Sequence, residues 1–134
     1  MKFKALLTVV LAILISSSAF ATSMKIAPNP YKQPDKAFQY VYNLCVNQNA
    51  DGGWETYMLG SYYDKGYGTK ENIIKAYVWY RMSTEEKYKP SFPVLKALTK
   101  QMTSQQLVQA KKAFIKTRDK SVNDELNELK TMNQ

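Results

Sequence analysis

The 134-residue chain contains no histidine. That removes the commonest general base and the commonest metal ligand together, and with them any Ser-His-Asp or Cys-His nucleophilic set. A single cysteine, Cys45, excludes an internal disulfide, so stability has to come from packing. Two readings of that thiol stand. Between Leu44 and Val46 in an apolar helical run, it suits a small buried hydrophobe. As an odd thiol in an exported chain, it also suits pairing with another chain. Glycine is scarce: the five glycines all fall between positions 52 and 68. Gly66-Tyr67-Gly68 is too short for a phosphate loop, and no strand precedes it. Among the acids, Asp64, Glu71, Glu85 and Glu86 are the candidates for a glycosidase pair, but Glu85 and Glu86 are adjacent on a charged connector, and an enzyme would need Asp64 or Glu71 in a cleft. No catalytic residue, cofactor or metal site is expected, and the chain reads as a non-enzyme.

What the sequence does have begins at the N-terminus. Met1-Lys2-Phe3-Lys4 is a basic start, Ala5 to Ile15 an apolar run interrupted only by Thr8, and Ala19-Phe20-Ala21 a small-x-small cleavage site. Residues 1–21 therefore read as a cleaved signal peptide. The apolar run is shorter than the roughly 20 residues of a membrane span, so no transmembrane span is expected after cleavage. The mature chain would start near Thr22 and be exported, periplasmic or secreted. Loss of Lys2 and Lys4 takes 19 basic residues to 17 against 11 acidic, and the net charge from +8 to +6. A basic balance favours acidic partners or anionic surfaces; in an exported chain it does not imply nucleic acid.

The centre of the chain is Trp54 to Arg81. Leu59, Gly60 and Tyr63 lie in its first half, and Gly66 and Gly68 break the pattern. Lys75, Ala76, Trp79 and Tyr80 lie in the second. Large apolar residues at i, i+3, i+4 spacing make a helix contact face. Gly60 lets a neighbouring backbone approach, at about 1 kcal/mol of helix propensity, and the later glycines supply the positive φ that ends a helix. A helical hairpin is predicted, with Trp79 and Tyr80 in its core. On Leu59-Gly60, Tyr63, Gly66, Gly68 and Lys75-Ala76-Tyr77-Val78-Trp79-Tyr80, the stretch resembles the Sel-one-like repeat family, a relative of the tetratricopeptide repeat. The resemblance implies stacked α-hairpins that serve as protein-binding scaffolds, and places the protein in a bacterial envelope. Two positions depart from the family pattern: Glu55 where a small alanine is usual, and Ser83-Thr84 where paired alanines are usual.

Before the hairpin, residues 22–33 hold Pro28, Asn29 and Pro30 and read as an extended leader that stays mobile. Asp35 is placed as an N-cap, followed by Ala37, Phe38, Val41, Leu44 and Cys45 at helical spacing. After it, Ser91 is placed as a cap with Pro93 in the first turn. Val94, Leu95, Leu98 and Met102 form a stripe, and Thr103-x-x-Gln106 is a capping box that opens a longer helix. Residues 121–134 either prolong that helix or fray. A period runs through this order: Lys-Ala-aromatic recurs at Lys36-Ala37-Phe38, Lys75-Ala76-Tyr77 and Lys112-Ala113-Phe114, spacings of 39 and 37 residues, in the range of stacked repeats. Shifting by 39 also sets Leu98 on Leu59 and Met102 on Tyr63. The last copy carries Lys116-Thr117 where the central one has the aromatic pair, and terminal repeats are atypical because they face water. The expected fold is all-α: a short α/α solenoid of about five helices over 34–120, with the full repeat at about 53–86 and a tail at 121–134.

With no catalytic set, function falls to surfaces. Trp54, Tyr57 and Tyr62 on the first hairpin helix and Tyr77 and Arg81 on the second are the candidate groove residues, since tyrosine and tryptophan bring large contact area at low entropy cost. The alternative for each is that it seals a seam between helices. Lys111, Lys112, Lys116, Arg118 and Lys120 make a basic side on the last helix: a solvated face favoured by a helix C-terminus, or a site for an acidic partner or anionic lipid. The sequence thus predicts an envelope scaffold that binds another protein, as adaptor or as inhibitor or immunity-type protein, with self-association as a way to extend the stack. The rival is a basic binder of the envelope surface or cell-wall polymer.

Overall fold

The computed structural model describes residues 27–47, 50 and 52–132. The predicted signal segment, the first part of the leader and the last two residues of the tail lie outside the described residues. Among those described, the chain is all-α, with five helices: α1 Pro34–Val46, α2 Trp54–Lys65, α3 Ile73–Glu85, α4 Ser91–Gln101 and α5 Ser104–Met132. Helix α3 packs on α2, α4 and α5, while α1 packs on α2.

Local chemistry sets these boundaries. Pro34 occupies the first turn of α1 and Gln33 is its N-cap, two residues before Asp35, which instead supplies negative charge in that turn. Gly66 ends α2 in the left-handed region, with its N–H on the Tyr62 carbonyl. Asn72 caps α3, its side-chain oxygen accepting from Lys75 N at 2.9 Å. Thr103 and Gln106 form the reciprocal capping box at 2.9 and 3.1 Å. Ser91 is not a cap. Pro90 takes that place, and the Ser91 hydroxyl turns inward to Ser83. The long last helix runs unbroken past Lys120 to Met132, so the basic run lies along its middle and not at its C-terminus.

The core centres on the α2–α3 contact. Leu59, Ala76 and Tyr80 are buried, and Tyr80 lies so close over Gly60 that a Cβ there would come within 2.7 Å of the ring. Burying each large side chain contributes about 1.5–3 kcal/mol. The aromatics of the three recurring triplets, Phe38, Tyr77 and Phe114, are all buried, on α1, α3 and α5 respectively, and so are the period-related Leu59 and Leu98.

At the two departures from the small-residue pattern the core turns polar. Ser83 is fully buried, bonded to Gly53 O at 2.5 Å and 2.5 Å from Ser91 Oγ. One hydroxyl thereby joins the start of α2, the end of α3 and the start of α4. Polar groups withdrawn from water need such partners, and serine supplies here what alanine does not.

The near end of the leader is anchored. Asn29 Oδ1 accepts from Tyr31 N at 2.9 Å, and the Tyr67 hydroxyl donates to Pro30 O at 2.6 Å. Gly68, at φ +67, lies directly against the Pro34 backbone, so the glycine of the α2–α3 turn is also the seat of α1. Gly68→Ala is expected to cost more than about 2 kcal/mol in urea unfolding, from an L-residue in the left-handed region plus overpacking against immovable backbone. Gly52→Ala, at φ +108 with open space around it, meets no such backbone contact, so any cost there is conformational alone.

Candidate functional site

The five proposed groove residues do not form one surface. Tyr62 and Tyr77 are core residues. Tyr62 packs on Phe38 and Tyr67. Tyr57, half-buried, packs on Tyr80 and Tyr88, on the other side of α2. Both rings seal seams, because a helix sandwiched between α1 and α3 has little free face. Trp54 alone of the three on α2 is exposed, at 45%. Tyr77 and Arg81 do meet, in a depression of about 340 Å3 between α3, α4 and α5 that also takes in Lys111. The Arg81 guanidinium is engaged there: it stands over the Phe114 ring at 5.5 Å and 3.7 Å from Glu85. Arg118 covers the same ring at 5.7 Å.

A second hollow lies where the sequence did not point. Between α1 and α5, above α3, a half-open pocket of about 300 Å3 is walled by Tyr42 and Cys45 from α1, Trp79 and Met82 from α3, and Thr117 and Lys120 from α5. Trp79 was expected in the core; it is only partly buried and lines this wall. A shallower hollow continues past Trp79 and Thr117 to Tyr63 and Ala113. Thr117, which the 37-residue spacing sets at the position of Tyr80, contributes only a small side chain to this wall. The period, with Phe38, Tyr77 and Phe114 on alternate helices, held the signal that α1, α3 and α5 share a side.

Electrostatically the pocket has an apolar wall and one ion pair at its rim, Lys120 with Asp124 at 2.7 Å. Burial, reinforced by the charges of Glu86 and Glu55, pushes the Cys45 thiol up to about 12. The thiol is therefore neutral at physiological pH and neither nucleophilic nor a ready metal ligand. Among the described residues no group of three acidic, cysteine or histidine side chains stands close enough to hold a metal ion. Glu55 is buried in the first turn of α2, with Oε2 unpartnered among the described residues, at the end where the helix dipole favours negative charge. Beside it, Glu86 accepts from Thr56 Oγ1 at 2.6 Å. Burial raises the Glu86 carboxyl, Glu55 adds to the rise, and the Thr56 bond opposes both. Of the basic run, Arg118 and Lys120 have acidic neighbours, Asp119 at 3.3 Å and Asp124 at 2.7 Å.

No model of a known protein family matches the chain, and no curated protein matches it. No helix among the described residues is long and apolar enough to cross a membrane.

Burial of these two groups has two expected outcomes. Cys45 should react with a water-soluble disulfide reagent at pH 8 at least about tenfold more slowly in the folded chain than in urea, since only the thiolate attacks. For Glu86, a folded pKa above the unfolded one means that ionisation works against folding, and stability falls as pH rises through that interval. Glu86→Gln should therefore melt above the parent chain at pH 7, and the difference should close at pH 3, where the carboxyl is protonated in both states.

Proposed function

We propose that this chain is a non-catalytic protein-binding scaffold of the bacterial envelope, an exported adaptor or an inhibitor or immunity-type protein. On this reading it is built of Sel-one-like hairpins stacked as a short solenoid. The observation that carries the binding function is the half-open pocket over α3. It sets a partly buried tryptophan and a tyrosine at a face to which α1, α3 and α5 all contribute. Aromatic anchors in a concave, apolar setting are what protein recognition uses for most of its energy. The repeat architecture draws its support from the triplet aromatics and from Leu59 and Leu98, period-related residues that are alike buried. Export rests on the N-terminal sequence alone.

A second reading has its own observation. Lys111, Lys112 and Lys116 are exposed on α5 with no acidic partner among the described residues, which suits an anionic envelope polymer. The experiment that separates the two is a pull-down with the tagged chain from Thr22 onward, against envelope extract of its host, at low and high salt. One protein retained at both salts, and bound about tenfold more weakly or worse by Trp79→Ala at unchanged helicity, is the expected result. Diffuse anionic material that salt removes, and that Lys112→Glu with Lys116→Glu abolishes, would contradict the scaffold and favour the polymer binder.

A further inference from the structure

The pocket between α1 and α5 also indicates the chemistry of what fills it. Its volume, about 300 Å3, is at the floor of the range for ligand sites, room for one bulky apolar group. Trp79, Tyr42 and the Met82 thioether offer polarizable apolar surface suited to an aromatic or large aliphatic side chain. The neutral Cys45 thiol adds no charge to that wall.

The rim is different. Lys112, Lys116 and Lys120 follow at i, i+4, i+8 along one stripe of α5. They line a shallow depression beside Ile115 that shares Lys120 with the pocket. Asp124 pairs with Lys120, and Asp119 lies in the same depression. Neither Lys112 nor Lys116 is in an ion pair among the described residues, so with Asp119 between them and Lys120 the stripe keeps an excess of positive charge. An apolar hole beside a cationic stripe, on a chain whose net charge from Thr22 onward is +6 (17 basic against 11 acidic residues), is complementary to an acidic segment with an apolar anchor.

We propose that this pocket receives one large apolar side chain of an acidic partner segment, whose flanking carboxylates lie along Lys112, Lys116 and Lys120. The inference rests on the scaffold reading and deepens it by naming the subsite and the partner's chemistry.

The chain has two tryptophans, so Trp54→Phe leaves Trp79 as the sole indole, in the pocket wall. That variant is titrated with a short capped peptide of one phenylalanine flanked by glutamates, and with two counterparts: alanine for phenylalanine, and lysine for glutamate. Polyglutamate serves as the anionic polymer. The parent peptide should shift Trp79 emission saturably and slow alkylation of Cys45. It should bind about tenfold or more tightly than either counterpart, the discrimination expected of one filled apolar subsite or several charge contacts. Lys112→Glu with Lys116→Glu, both on the exposed surface, should remove the preference over the lysine peptide, and Thr117→Tyr should remove the preference over the alanine peptide.

Equal binding of the alanine peptide or of polyglutamate would overturn the proposal, as would no emission change up to about 1 mM peptide, the weakest affinity a useful subsite would show. The scaffold reading fails separately. If an envelope protein binds the chain at both salts and Trp79→Ala weakens it, while the parent peptide binds no better than its counterparts, the scaffold survives and this acidic-segment subsite does not.

Discussion

The close approach of α2 and α3, Tyr80 seated on Gly60, is the contact on which the rest of this structure depends. A side chain at position 60 would force the ring away, and α3 would lose the placement from which it supports α4 and α5. Interiors packed to crystal-like density tolerate little such displacement. The phenol of Tyr80 is itself pushed up by burial and by the nearby Asp64. It is thus a neutral, space-filling ring over the whole physiological range.

That contact also explains how polarity enters the core at the C-terminal end of α3. With the helices this close, the residues one turn beyond Tyr80 have room only for small side chains. Ser83 takes the space and spends its hydroxyl on Gly53 O and Ser91. Three chain segments are thereby located by directional bonds, which fix register more sharply than apolar contact does. At the opposite end, Gly68 and Tyr67 do the same for α1 through Pro34 and Pro30.

Much of this was legible in the chain. Glycine position announced the α2–α3 turn, Thr103 and Gln106 announced the start of α5, and apolar periodicity located all five helices. The placement of aromatics on faces was not legible, because one helix can be covered on both sides. The spacing of Tyr57 and Tyr62 fits a free groove as well as two separate seams, and only the tertiary arrangement distinguishes them. Trp79 failed in the opposite direction. Adjacent to a core tyrosine, it seemed to share its fate, but the neighbour that would have covered it is Thr117. Ser91 was misread for a related reason: a serine before a helix resembles a cap whether it faces solvent or another helix.

Position 117 connects fold to function in this account. Its small side chain faces a hollow over the neighbouring helix, with Trp79 in the wall. Basic residues on the same helix then set the sign of what approaches.

The central claim, that partners engage the α1–α3–α5 side, is tested most directly by methyl-carbon NMR of methionine in the full mature chain with a bound envelope protein. Met82 lines the pocket, whereas Met58 and Met102 pack elsewhere against the core. The account predicts a shift of the Met82 methyl with Met58 and Met102 unmoved. A shift confined to Met58 or Met102 would contradict it and move the binding surface to another side of the molecule.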